Sequence, residues 1–371
     1  MKRACELFSL PLMILLLTGC WDQTLLKNTR LILAASFDSS SDERILAGVT
    51  TPIVSTAGSV QNSKESVELL MSEGLSPRDA RLEIDNKTSQ KLDASKLLIL
   101  TIGSELAKRD IYSVLDVFYR DPKSALSSKI AVVDGEAIDV LNNSLDSNLR
   151  AGNLLTDLLQ SAENNTTVSV EDIQTICAEM FDEGVDFMVP FLTLLPEKEI
   201  KVDGMAMFHD KSFTGKTLEV EESRLFLLLK DKVGKTVPFS YKIRFHEKET
   251  FVSFKVKSHK TDLKVVPSSN GIKVPVTLKV EVSIQEFPED TLMKKSTIDE
   301  LTKLLQKRLE EDSRKVLEKL QEANCDGLGI GNRVQAFYPE VWKKTDWNEE
   351  YRNIKFQPQV KVTIAQHGVI D

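Results

Sequence analysis

Hydrophobic residues recur with a period of two along the last third of the chain. Tyr241, Ile243 and Phe245 alternate with polar residues, and Val252, Phe254 and Val256 do so after the polar turn His246–Glu249. Val274, Val276, Leu278, Val280, Val282 and Ile284 alternate without a fault. Such runs joined by short turns predict antiparallel strands with one wet face. From about Asp290 to Ala323 the period changes. Ile298, Leu301, Leu305, Leu309, Val316 and Leu320 step at helical spacing, which predicts a long helix covering the sheet. Lys307–Glu311, Glu310–Arg314 and Glu311–Lys315 are spaced to pair on its solvent side. Val360, Val362 and Ile364 predict a closing strand.

The first half mixes the two periods. Leu31–Phe37 and Ile45–Val54 read as strands. Ser63 to Arg81 carries Val67, Leu70, Met71 and Leu75, a helical stripe, with a break or restart at Ser76-Pro77. The apolar run Lys96–Ile102, ended by Gly103, predicts a buried central strand. Short helices are expected at Glu105–Lys108 and Ile111–Tyr119, a strand at Lys129–Val133, and helices to Leu141, over Asn148–Ser161 and over Val170–Phe181. Beyond Pro190 the segments Phe191–Leu195, Gly204–Phe208 and Arg224–Leu229 read as short strands. The expected fold class is α+β in three domains. A mixed α/β N-terminal domain occupies 31–197, a small β-rich middle domain 198–237, and a C-terminal α+β domain 238–371, where an antiparallel sheet packs with the long helix.

The extreme N-terminus has a different character. Lys2 and Arg3 precede an apolar stretch from Leu7 to Leu17. Roughly a dozen residues is too short for a hydrocarbon core that needs about twenty. Charge and length fit a secretory signal instead, expected over 1–19 and cleaved. The stretch ends Leu17-Thr18-Gly19-Cys20, which resembles the lipobox of bacterial lipoproteins. In that class the thiol takes a diacylglyceryl group and the new N-terminus an acyl chain, so Cys20 is the expected lipidation site and 20–30 the anchor and tether. Cys5 lies inside the signal.

Composition narrows the partners. A net charge of −8 over 371 residues gives no basic footprint for nucleic acid. An acidic body is mildly repelled by anionic lipid, so attachment is expected to come from the acyl anchor and not from a basic face. No metal site and no cofactor are expected: His209, His246, His259 and His367 fall in no H-E-x-x-H pattern, and surface histidine is the default. Asp182, Glu183 and Asp186 read as an exposed acidic cluster at a helix end, and Gly327–Gly331 as the stop of the long helix followed by a tight turn. Cys177 and Cys325 are two inert thiols or, on the other reading, a disulfide. Trp342 and Trp347, flanked by Tyr338 and Tyr351, form either an aromatic ligand platform or anchors onto the core. None of these patterns amounts to an active site.

One resemblance joins the separate segments. Gly19-Cys20-Trp21-Asp22, Lys96–Gly103, Val114-Leu-Asp116 with Arg120-Asp121-Pro122, Gly204–Phe208, Gly329-Ile-Gly331, Tyr338-Pro339, Trp342, Asp346-Trp347 and the ending Val360–Gly368 resemble, in order, the spore-germination receptor C-subunit lipoproteins, the Ger(x)C family. The resemblance implies a non-enzymatic three-domain protein held by lipid on the outer face of the spore inner membrane. It implies integral-membrane A and B subunits as partners in a nutrient receptor. The alternative is a lipoprotein solute-binding protein of a transporter, although that class is built from two α/β lobes. An envelope hydrolase is a third option and lacks a recognisable catalytic set.

Overall fold

The computed structural model describes residues 29–53, 66–145, 151–269, 271–289 and 292–366. The expected signal, Cys20, Trp21 and His367 lie outside them.

The first half builds an eight-stranded sheet. Strand β1 (Thr29–Leu31) leads into the antiparallel meander β2 (Ala34–Ser39), β3 (Ile45–Ile53) and β4 (Ser66–Gly74). β5 (Lys91–Asp93) returns to pair with β1 as a small parallel sheet. β6 (Ile99–Gly103), β7 (Lys129–Val133) and β8 (Met188–Leu194) extend the large sheet from β2, all in parallel. β9 (Ile200–His209) and β10 (Ser212–Leu218) close that side antiparallel, giving the order β10-β9-β8-β7-β6-β2-β3-β4.

Both faces of this sheet are covered, which is why β6 is a continuous apolar run buried along its whole length. Helices α1 (Pro77–Asp85), α2 (Ser104–Ala107) and α3 (Tyr112–Arg120) pack on the face of Leu100, Ile102, Ile130 and Val132. α4 (Ala137–Leu145) and α5 (Ala151–Asn164) cover the opposite face at Ile99, Ala131 and Val133. α6 (Ile173–Met180) returns to the first.

The second half wraps a five-stranded sheet around one long helix. After α7 (Val220–Lys230) come β11 (Val237–Phe245), β12 (Lys248–Leu263), β13 (Val266–Ser268) and β14 (Gly271–Glu286), all antiparallel. α8 (Lys295–Glu322) turns Leu301, Leu305, Leu309, Val316 and Leu320 onto Val274, Val276, Leu278, Val280 and Val282. Short helices α9 (Ile330–Phe337), α10 (Pro339–Trp342) and α11 (Trp347–Glu350) lead to β15 (Lys355–Gln366). The stripe of α8 therefore faces the sheet, as its spacing predicts.

The structure departs from the sequence reading at four places. The stripe Val67–Leu75 is not helical. Ser66–Gly74 is the edge strand β4, paired with β3 from Ser66↔Ile53 to Gly74↔Ile45. The helix starts only at Ser76, whose Oγ accepts from the Asp79 N–H at 3.2 Å, with Pro77 in the first turn. Arg224–Leu229 is not a strand but the centre of α7, with Leu225–Leu229 buried on every side between the two halves. Its start is fixed by Glu222, whose carboxylate accepts from the Glu219 N–H at 2.9 Å, and its end by Asp231 at φ 60°. Residues 198–237 form no sheet of their own: β9 and β10 join the first sheet, and α7 enters the core of the second. Finally, the C-terminal sheet is not wholly antiparallel, because β15 pairs with β14 in parallel. A parallel neighbour needs a long crossover, and α8 with its following turns supplies it.

Candidate functional site

The Gly-rich turn lies where the two halves meet. α8 runs out at Asn324, which turns the chain at φ 52°. Gly329 at φ 66° then opens α9, so the turn both stops one helix and begins another. Asp326 stands between them, 2% exposed. Its Oδ1 accepts from the Ile330 N–H at 2.9 Å and its Oδ2 from the Gly331 N–H at 2.7 Å. Trp347 Nε1 donates to the same Oδ2 at 3.2 Å. The positive end of α9 is thus filled by the chain's own carboxylate. Gly331 has to be small: a Cβ there would stand 2.7 Å from Trp347 Nε1 and 2.8 Å from Gly184 Cα.

Asp326 also carries the connection to the first half. Its N–H donates to Asp186 Oδ2 at 2.8 Å, and the Asp186 N–H donates back to the Asp326 carbonyl at 3.1 Å. Asp186 Oδ1 accepts from the Asp210 N–H at 2.9 Å. His209 Nδ1 lies 3.4 Å from Asp186 Oδ2, and the Asn324 amide lies 3.0 Å from His209 Nε2. A cleft of about 470 Å³ opens beside this network, with Phe181, Asp182, Glu183, Asp210 and Trp347 in its walls.

Burial dominates the electrostatics. It pushes the Asp326 carboxyl up to about 7, against the Gly331, Ile330 and Trp347 donors that favour the ion. The bond to Asp186 leads in holding His209 above its ordinary value. A carboxyl titrating near neutrality has the range of a general acid or base. Here both its oxygens are taken by donors of the fold, and the arrangement acts as a cap and a bolt between the halves. Among the described residues, no group of three His, Cys, Asp or Glu side chains converges to hold a metal ion.

A second buried carboxylate uses the same device. Asp38, at the end of β2, accepts from the Ala137 N–H at 2.6 Å and the Ile138 N–H at 2.8 Å, at the start of α4. Burial, the largest cause, raises it to about 6. Gly103 leaves the space, since a Cβ there would stand 2.1 Å from Asp38 Oδ1.

The residues singled out from sequence fall as follows. Trp347 is buried, its N–H committed to Asp326. Trp342 is half-buried, with its ring 5.4 Å from that of Trp347. Tyr338 is at the surface and donates its hydroxyl to the Val265 carbonyl at 3.1 Å. Tyr351 is buried and donates to the Cys325 carbonyl at 2.8 Å. Cys177 and Cys325 are free thiols, and burial pushes the latter far up, which makes it inert. Asp182 and Glu183 are exposed, but Asp186 is buried. His246 and His259 face Glu300 and Asp231 at 3.0 and 2.7 Å, whereas His209 belongs to the junction. Sequence reasoning missed Asp326 and Asp38. The available signal for Asp326 was its place directly before Gly327-Leu-Gly-Ile-Gly331, an N-cap type of residue ahead of a helix start.

Comparison with known proteins places the whole chain. A family model described as "Spore germination protein N-terminal domain" matches residues 22–194, and one described as "Spore germination B3/ GerAC like, C-terminal" matches 203–368. Spore germination protein KC of Bacillus subtilis (strain 168) is 24% identical over 95% of this chain and 92% of its own. Spore germination protein GerQC of Bacillus cereus is 18% identical over 96% of each. The crystal structure of the GerBC protein shares the fold, with a TM-score of 0.56 at 18% identity, covering 90% of this chain and 97% of that one. With both halves matched in order and the same fold found in a solved member, the chain belongs to the Ger(x)C family of spore germination proteins.

Proposed function

We propose that this chain is the lipid-anchored C subunit of a nutrient germinant receptor, acting without catalysis beside integral-membrane A and B subunits on the outer face of the spore inner membrane. The observation that carries the reading is the match of two germination-family models in order over residues 22–368. The sequence Leu17-Thr18-Gly19-Cys20 supports the anchor, and no described helix is long and apolar enough to cross a membrane. Two acyl chains give stable attachment where one does not, at about 0.8 kcal/mol per buried CH₂. Attachment confines the body near its partners and raises its effective concentration there. The junction at Asp326 supports a scaffold role, because both carboxylate oxygens of Asp326 are taken by donors of the fold and its backbone bonds to Asp186 join the halves.

Cys20→Ala tests the anchor in spores. The expected outcome is release of the protein from the membrane fraction and loss of the response to one nutrient. A variant that stays membrane-bound and germinates normally overturns the reading.

A further inference from the structure

The chain is acidic, yet the outer face of its C-terminal sheet is basic. Opposite the core-facing valines, β14 turns Lys273 and Lys279 to solvent, β15 turns Lys355 and Lys361, and β12 turns Lys255 and Lys260. The register aligns them. Lys260 lies directly across from Lys279, and Lys279 directly across from Lys361, so three lysines form a row over three neighbouring strands. Lys273 faces Lys355 in the same way. With strands ~4.8 Å apart, the row is about 10 Å long on a broad, open surface.

Like charges directly opposite each other destabilise a sheet, so the row calls for a compensating anion. The chain supplies it only in part. All six lysines are exposed, and none has an ion-pair partner among the described residues. Two carboxylates on this face are paired with other lysines, Glu249 with Lys242 at 2.6 Å and Asp262 with Lys264 at 3.3 Å, while Glu281, two residues from Lys279, accepts from the Ser258 hydroxyl at 2.8 Å and offsets the row with a single charge. Edge protection, a common use of strand lysines, accounts for Lys260 and Lys361, whose strands have one unpaired side at these positions among the described residues, but not for Lys279. β14 is an interior strand, flanked by β12 and β15 along this stretch.

We propose that this face of the C-terminal sheet lies against an anionic phospholipid surface and sets the orientation of the body on the membrane. The inference rests on the anchoring reading. Nine residues from Cys20 to Thr29 reach at most about 32 Å, so one face of an anchored body must lie close to the bilayer. Exposed lysines aligned across three strands of one sheet face match a sheet of headgroups. An acidic protein surface is the competing occupant. The sequence reading, which expected attachment to come from the acyl anchor and not from a basic face, followed net charge and could not see register gather the lysines.

The test uses the full chain, matured in cells that lipidate it, in phosphatidylcholine vesicles with or without phosphatidylglycerol. Amine labelling by a membrane-impermeant reagent is read residue by residue. Lys260, Lys279 and Lys361 are expected to be protected about fivefold or more on the anionic vesicles alone, as is the scale for one lysine near such a surface. The protection should vanish in high salt, while Lys307, exposed on α8, should label equally on both. In solution binding to anionic vesicles, K260Q/K279Q/K361Q should lose about a hundredfold in partition for three such contacts, with its melting temperature kept. Equal labelling on both vesicles overturns the proposal, and so does protection that appears only when the membrane subunits are added, which would favour an acidic protein. Failure to float with neutral vesicles would sink the anchoring reading alone; partition of the chain from solution onto anionic vesicles would still decide the face.

Discussion

Asp38 and Asp326 perform the same act in two parts of the molecule with different reach. Each is a buried carboxylate taking two backbone N–H groups at the start of a helix. Asp38 is bound to residues 99 and 100 positions away, and so pins α4 to β2 within one sheet. Asp326 caps a helix only four and five positions ahead, but its backbone reaches Asp186, 140 positions away. Its Oδ2 also takes the Trp347 indole. One aspartate fastens a helix within a domain, and the other fastens the two halves of the chain. Burying a charge costs free energy that only its donors offset, so each site depends on all of them.

The comparison breaks most visibly on deletion. Asp326→Ala leaves two amides and an indole N–H without acceptors, and is expected to cost about 4 kcal/mol of unfolding free energy. Asp38→Ala strands two amides and should cost about 3 kcal/mol. Chemical denaturation read by tryptophan fluorescence and by far-UV circular dichroism separates them further. Trp347 reports on the junction directly, so in Asp326→Ala its signal should change at lower denaturant than the helical signal. Coincident transitions in that variant, or an Asp38→Ala cost above that of Asp326→Ala, would remove the distinction between a local and a joining carboxylate.

How far each site could be read from sequence follows from the same contrast. Period-two alternation at Val274–Ile284 and the stripe Leu301–Leu320 survive folding because each element keeps one dry face. They located the second sheet and its helix correctly. Val67–Leu75 and Arg224–Leu229 failed for opposite reasons. The first is an edge strand whose pairing with β3 outweighs its local spacing. The second is buried on every side at Leu225–Leu229, where apolar periodicity carries no information. Asp326 and Asp38 left no periodic mark, since a carboxylate is buried by what the rest of the chain places over it. The lysine row is likewise a product of register, as Lys260, Lys279 and Lys361 are far apart in sequence and opposite in space.

Protonation distinguishes the two carboxylates without deleting either. Folding raises Asp38 to about 6 and Asp326 to about 7 from the ordinary 3.8. A raised carboxyl holds its proton more tightly in the fold. Its contribution is full below about 3.8 and is lost as pH rises through the raised value. His209, also raised, loses its share in the same direction. Unfolding free energy should therefore fall between about pH 4 and about pH 7, with a slope from Asp326 of at most about 1.4 kcal/mol per pH unit. Asp326→Asn should reduce the slope over the whole fall up to about pH 7, and Asp38→Asn only below about pH 6. Superimposable profiles for wild type and Asp326→Asn would show that this carboxyl does not titrate there.

The smallest expected effect is the sharpest. Trp347→Phe keeps a ring in the buried site and deletes one donor to Asp326 Oδ2, which retains the Gly331 N–H. The cost should be about 1 kcal/mol, the scale of a single hydrogen bond. Because the indole favours the ionised form, its loss should also move the Asp326 part of the pH profile upward, and leave the Asp38 part where it is. A cost of several kcal/mol with an unmoved profile would point elsewhere. It would mean that the fit of the indole against Gly331, which leaves no room for a Cβ, holds the halves together, and that its bond to Asp326 adds little.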